Sequence, residues 1–279
     1  MARPLAIALD GSSKVHLDKL DPAETRGLDK EEGLARLQKL GEELTELVNL
    51  LTFAGQHALL VVVQGRDASG KDGTIRKVLG FCNVLSVRAE SFKVPTEEER
   101  AHDFLWRVHR VAPRRGFFTM FNRSHYEDVI AARVNALVPK EKWRARYDHI
   151  NAFERLLADS DTLLLKFFLH VSRDEQYERL LEREKGPRTA WKLEPNDWRE
   201  LPLWDEMTAA YEDAIDRCSS AERPFYLVPA DRKWFRNLAV IERIVLTLRP
   251  LRDGWLEHLE RMGARALEEI EKIRAAAGR

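Results

Sequence analysis

The sequence predicts an α/β fold in which five short strands form a parallel sheet covered on both faces by helices. Two observations carry that prediction. Short, continuously apolar runs alternate with longer stretches whose apolar residues recur every three or four positions, and strands separated by helices pair in parallel. The first of these runs, His57 to Val63, also ends in a glycine-spaced turn that leads directly into a helix start.

Each element follows from its own stretch of chain. Residues 1–28 scatter Gly, Pro, Ser and charge without a period, which predicts an extended arm on the surface. From Asp29 the pattern changes: Asp29 and Glu32 suit a helix start, and Leu34, Leu37, Leu40, Leu44, Leu47 and Leu51 mark one face of a helix. After the first strand and its turn, a helix runs to about Leu79. Val84 to Glu90 is the second expected strand. Thr96 and Glu99 form a T-x-x-E start for a helix that carries Phe104, Leu105 and Val108 toward the core. Its end is basic, with Arg107, His109, Arg110, Arg114 and Arg115. Phe117 to Phe121 is the third strand, and helices over 125–137 and 140–158 follow. Thr162 to Val171 is a fourth strand interrupted only by Lys166, and Arg173 to Glu184 a helix. Lys185 to Leu201 breaks all periodicity and reads as a mobile basic flap. A helix over 203–219, a strand over 224–228, a helix over 231–248 and an amphipathic stretch from Trp255 to Ile273 complete the chain. The expected division is an arm and helix over 1–56, a core over 57–250 and a C-terminal helix over 251–279. That last helix is expected to pack on the domain or on a second subunit.

Composition narrows the partners. The 279 residues, 44% of them hydrophobic, suffice for one large domain with a full core. Lys plus Arg and Asp plus Glu both total 46, so net charge points to neither nucleic acid nor an anionic membrane, and a polyanion site has to come from local clustering. Cys82 and Cys218 match no metal or redox spacing and are expected as buried thiols of a reduced cytoplasmic protein. No run approaches the ~20 apolar residues needed to span a bilayer.

The turn after the first strand is where chemistry concentrates. Gln64 to Thr74 contains G-x4-G-K, the phosphate-loop spacing. Gly65 and Gly70 permit the sharp turn, so the N–H groups around Ala68, Ser69, Gly73 and Thr74 can face one anion at a helix start, and Lys71 adds a full charge. Asp72 stands where such loops usually carry the Ser or Thr that ligates magnesium. Asp67 is then the candidate metal ligand, since a hard carboxylate oxygen beside phosphates suits Mg²⁺. The third strand delivers Asn122-Arg123-Ser124-His125-Tyr126-Glu127-Asp128 at its carboxyl end, the edge where open α/β sheets bind ligands. Glu127 and Asp128 either contact a nucleoside or complement a helix dipole. His125 is expected as a packed residue rather than a base.

Taken together, G-x-D-x-x-G-K-D-G, F-N-R-S-H-Y-E-D-V and the later R-E-K-x-P-R-x-x-W-K resemble the polyphosphate kinase 2 family. The resemblance covers about residues 57–248 and includes Ser91 to Thr96 and His102 to Arg107. It implies a three-layer αβα P-loop kinase fold with a lid at about 183–201, and Mg²⁺-assisted phosphoryl transfer between inorganic polyphosphate and nucleotides. By that resemblance Asp67, Lys71, Asn122 and Arg123 are catalytic, with Asp67 also on the metal, and Arg183, Lys185, Arg188 and Lys192 are lid cations. Asn122, where many members carry Asp, is similar to the subclass that accepts both AMP and ADP, with ATP the final product. The family is oligomeric, which implies a homo-dimer or tetramer. Arg107, Arg110, Arg114 and Arg115 are candidates for a track along the polyphosphate chain. The rival readings are an ATP-dependent nucleoside-monophosphate kinase and a non-catalytic phosphate or nucleotide sensor.

Overall fold

The computed structural model describes residues 4–185 and 195–277. Its elements are β1 (Ile7–Leu9), α1 (Lys30–Ala54), β2 (Ala58–Gly65), α2 (Lys71–Leu79), β3 (Val87–Ser91), α3 (Glu97–Ala101), α4 (Trp106–His109), β4 (Phe118–Asn122), α5 (Ala131–Val134), α6 (Lys140–Asp159), β5 (Thr162–His170), α7 (Arg173–Lys185), α8 (Pro195–Glu200), α9 (Trp204–Cys218), β6 (Phe225–Pro229), α10 (Lys233–Leu248) and α11 (Arg252–Ala276). The strands lie in the order β1-β6-β5-β2-β4-β3. Central β2 is buried at every position. Leu59, Val61 and Val63 enter one apolar cluster with α1, α2 and α10, while Leu60 and Val62 enter another with α6 and α9. Each such fully buried Val or Leu contributes about 1.5–3 kcal/mol. This alternation across one strand is what makes three layers.

The sheet has six strands where the sequence predicts five. The extra one is β1, which pairs antiparallel to β6 with Ile7 opposite Leu227. The arm is therefore part of the core: Leu5, Ala6, Val15 and Leu17 are buried, and Leu5 N–H donates to Glu242 Oε2 at 2.7 Å. Three residues of strand are too few to show a period.

Side-chain caps account for the other differences. Asn83 Oδ1 accepts from Leu85 N–H at 3.0 Å, and this turn leaves Val84 and Leu85 exposed, so β3 begins at Val87 rather than Val84. The Thr96–Glu99 capping box forms as expected. Asp103 Oδ1 then accepts from Leu105 and Trp106 N–H and starts a separate helix, splitting the long helix expected there into α3 and α4. The helix expected over 125–137 is a 3-10 turn, His125–Asp128, followed by short α5. Within the region expected as irregular, α7 extends to Lys185 and residues 195–200 form α8.

Lys166, the one charge inside the fourth expected strand, is fully buried and donates to Glu154 Oε2 at 2.7 Å and to the Cys218 carbonyl at 2.5 Å. Glu154 also accepts from Tyr126 Oη at 2.6 Å and lies 3.3 Å from His125 Nε2. Burial pushes the Glu154 carboxyl up, but Lys166 and His125 outweigh it and hold it at about 2. His125 is thus a packed, hydrogen-bonded residue.

Trp255 anchors α11: it is buried and its Nε1 donates to His57 Nδ1 at 3.0 Å. Beyond Leu259 the helix leaves the domain, with Met262, Leu267, Ile270 and Ile273 exposed. Among the described residues no helix is long and apolar enough to cross a membrane. Cys82 and Cys218 are free thiols, half-buried and buried, and burial pushes both up to about 12.

Candidate active site

The site forms where β2 and β4 end side by side. Their parallel pairing sets Val63 opposite Asn122, and Arg123 N–H donates to the Val63 carbonyl at 3.1 Å. The turn after β2 and the residue after β4 are thereby fixed on one edge. Gly65 has φ +151° and Gly70 φ +98°, and Gly70 closes the turn by capping α2 with Thr74 N–H on its carbonyl at 3.0 Å. Lys71 opens α2, so the first-turn N–H groups, which have no acceptor within the helix, face the mouth of the turn.

Six of the sequence-predicted residues converge here. Asp67 pairs with Arg123 Nη2 and lies 3.6 Å from Lys71 Nζ. Arg123 Nη1 donates to Glu127 Oε2 at 3.2 Å, and Asn122 Nδ2 donates to Asp72 Oδ1. Gln64 sits within hydrogen-bond distance of Ser124 and Glu127, which ties the two strand ends from behind. Arg123 has φ +60°, a left-handed conformation that costs a non-glycine residue about 1 kcal/mol and is held by these bonds.

Electrostatics sharpen the picture. Burial works against the Arg123 charge, but Glu127 and Asp67 outweigh it and raise its pKa above the ordinary value. Lys71 is buried, and desolvation together with Arg123 lowers its pKa against the pull of Asp67. Its Nζ donates to the Gly65 and Arg66 carbonyls at 2.8 and 2.9 Å. Two cations thus share the Asp67 carboxylate at the start of α2.

Other expected residues fall elsewhere. Asp128 is half-buried and ion-pairs with Arg107 at 3.2 Å and Arg146 at 3.3 Å. Arg183 and Lys185 lie on the last turn of α7, Arg183 about 10 Å along the axis from Gln176, which touches the loop. Arg188 and Lys192 lie outside the described residues. The four arginines expected to form a basic track have different surroundings, and only Arg110 and Arg114 are exposed without a carboxylate partner among the described residues. Arg107 is buried on Asp128 and the Lys93 carbonyl, and Arg110 and Arg114 stack on Trp106 and Phe117. Arg115 pairs with Asp161 at the amino edge of the sheet, opposite the loop.

Several residues at the site carry no local sequence signal. Arg66 stacks 3.7 Å over Trp204 of α9 and donates to its carbonyl at 3.0 Å, and burial lowers its pKa to about 10. Gln176 and Arg179 of α7 and Arg236 of α10 reach the loop backbone. Their contacts span from 109 to 167 residues of sequence, beyond any spacing rule.

Comparison with known proteins decides the family. Residues 27–252 match the family described as Polyphosphate kinase 2. The chain belongs to the polyphosphate kinase 2 family. It is 48% identical over 240 residues to an AMP/ADP-polyphosphate phosphotransferase from Meiothermus ruber, covering 85% of this chain and 90% of that one. It is 40% identical to an ADP-polyphosphate phosphotransferase from Rhodopseudomonas palustris, covering 77% and 79%. The crystal structure of a polyphosphate kinase 2 from Arthrobacter aurescens superposes with a TM-score of 0.84 at 34% identity, covering 89% of this chain and 88% of that one. The P-loop kinase fold expected from the motifs is that of a polyphosphate kinase 2, and in this chain an antiparallel strand, β1, lies at one edge of the sheet.

Proposed function

We propose that this polyphosphate kinase 2 transfers the terminal phosphoryl group of inorganic polyphosphate to AMP and to ADP, reversibly, with ATP as the final nucleotide. The observation that carries this reading is the convergence of Lys71 and Arg123 on Asp67 at the mouth of the phosphate loop. A nucleotide phosphate oxygen attacks the terminal phosphorus, the bridging P–O bond breaks, and the chain departs one phosphate shorter. The transition state is loose and its charge spread out, so positioning and cation stabilisation suffice and no protein nucleophile is needed. Loop N–H groups and Lys71 hold the transferring phosphates. Arg123, for which an incoming phosphate competes with Asp67 and Glu127, stabilises the developing charge. Glu127, through Arg123, and Asp128, through Arg107 and Arg146, frame the nucleotide side. Arg183, Lys185, Arg188 and Lys192 supply cations from a lid over about 183–201.

The donor set fits a divalent metal. Asp67 offers a hard carboxylate oxygen in the phosphate loop, and Asp72 lies in the first turn of the α2 helix that follows. Among the described residues the one grouping of three His, Asp or Glu ligand atoms within 4.8 Å is His16 and Asp18 of the arm with Glu212 of α9. Mg²⁺ is ordinarily held by one or two carboxylates together with substrate phosphates, so Asp67 needs no protein cage. When bound, Mg²⁺ would neutralise phosphate charge.

A neutral Asn122 suits AMP. Its amide donates a hydrogen bond to Asp72 Oδ1 without adding charge, whereas a carboxylate there would repel an AMP phosphate seated deep in the site. A homo-oligomer is supported by the exposed apolar residues of α11, and light scattering measures it. Cytoplasmic action fits the two free thiols.

Incubation with AMP, Mg²⁺ and polyphosphate in the absence of ATP tests the reading, with ADP and then ATP as expected products. Turnover that requires added ATP would make the protein a nucleoside-monophosphate kinase, and binding without turnover would make it a sensor.

A further inference from the structure

The back of the phosphate loop is built as deliberately as its front. Five consecutive carbonyls, from Gly65 to Ser69, each accept a hydrogen bond from a side chain. Lys71 Nζ serves the first two. Gln176 Nε2 donates to the Asp67 carbonyl at 3.0 Å, Arg179 Nη1 to the Ala68 carbonyl at 2.9 Å, and Arg236 Nη1 to the Ser69 carbonyl at 3.1 Å. Within a planar peptide the C=O and the next N–H point in opposite directions. Fixing the carbonyls of Asp67 and Ser69 from behind therefore aims the N–H groups of Ala68 and Gly70 forward. The N–H between them, of Ser69, closes the turn onto the Arg66 carbonyl at 3.2 Å.

The geometry points to Gln176, Arg179 and Arg236 as positioning residues of phosphoryl transfer, holding the loop in its anion-binding form before any phosphate arrives. The inference rests on the phosphotransfer reading above. Three features support it. Ala68 has φ +59°, a conformation a free loop would leave, and its carbonyl is the one Arg179 holds. Arg179 is itself fixed by Glu175 and by the Ala230 and Asp231 carbonyls, so it is a rigid post rather than a mobile arm. Arg236 is 4% exposed and lies so close under Gly70 that a Cβ there would sit 1.8 Å from its Nη1. Gly70 is glycine as much for Arg236 as for the turn.

Arg236 adds a second effect. Among the described residues no carboxylate pairs with it, and its Nε has no partner. A buried, unneutralised guanidinium directly beneath the loop raises the potential where phosphate binds. Keeping such a charge dry without a counter-ion costs stability.

The test measures binding and turnover separately in the full chain. Tripolyphosphate affinity is read by titration calorimetry, and kcat and KM from polyphosphate-dependent phosphorylation of AMP. Arg236→Met is expected to weaken tripolyphosphate binding about ten-fold or more, and Gln176→Leu about three- to ten-fold, with kcat falling alongside. Arg236→Lys, which keeps the charge and loses the fork, should recover part of the loss. A role in folding alone would lower the melting temperature and leave the affinity of the folded protein unchanged. Should Arg236→Met fail to fold, Gln176→Leu and Arg236→Lys decide. Affinity within about two-fold of the parent in both variants overturns the inference, as does a parent that does not bind tripolyphosphate. A parent that binds but transfers no phosphoryl group overturns the proposed function instead, and the binding series still tests the loop.

Discussion

Replacing Lys166 by Met tests the buried network behind the site most directly. Lys166 and Glu154 have side chains 1% and 2% exposed and stand 2.7 Å apart, so the substitution leaves a buried carboxylate without its cation. Breaking such a pair from one side costs about 3–5 kcal/mol. The Cys218 carbonyl, which also loses its donor, belongs to the same cost. Glu154→Gln alone should cost a similar amount, because it strands the ammonium. The double variant should be far less destabilised than the sum, with a coupling of about 3 kcal/mol, since both charges leave together. Urea denaturation followed by circular dichroism at pH 7 measures all four proteins, and unchanged m-values establish that native stability is what changed. Single variants that lose less than about 1 kcal/mol, or a double variant that equals the sum, would refute a tight buried ion pair.

The same network should appear in acid. Glu154 is held at about 2 in the folded protein against an ordinary value near 4.5. A lowered carboxyl pKa contributes stability that is complete above the unfolded pKa and is lost as pH falls through the folded one. The stability gap between the parent and Glu154→Gln is therefore expected to shrink between pH 4.5 and pH 2, and a constant gap would contradict it. Asn122→Asp sets a second carboxylate against Asp72 and should depress AMP phosphorylation more than ADP phosphorylation; an unchanged ratio of rates sinks that account of acceptor choice. Lys71→Met removes the charge proposed to bind phosphate and the donor to two loop carbonyls, and should lower kcat by about 10²- to 10³-fold in steady-state assays.

What the sequence revealed and what it hid divide by range of interaction. The phosphate loop was readable because its chemistry is local: two glycines, a lysine and a helix start lie within ten residues, and each acts on its neighbours' backbone. Strands β2 and β5 were readable because burial on both faces leaves apolar runs, continuous in β2 and broken only by Lys166 within β5. Strand β1 was not, since three residues with one neighbour carry no period. The cations were hardest. Arg107, Arg115, Arg123 and Arg236 are chemically identical, and composition around them does not separate a buried tie, a surface pair at the wrong edge, the proposed catalytic group and the proposed post under the loop. Topology separates them. Arg123 follows β4, and β4 lies beside β2 with Asn122 level with Val63, so its guanidinium meets Asp67. Arg115 precedes β4 by three residues, which places it a strand's length away at the opposite edge, where Asp161 receives it.

The departure at Asp72 has the same explanation. Read alone, an acid in place of the usual hydroxyl looks like a loop that has lost its metal ligand. Within the sheet, Asp72 faces the Asn122 amide across the β2–β4 junction, while Asp67 takes the cations. The two carboxylates are thereby set to different tasks by adjacent residues at the end of β4, Asn122 and Arg123. An amide suits position 122 better than an acid for as long as Asp72 keeps its charge.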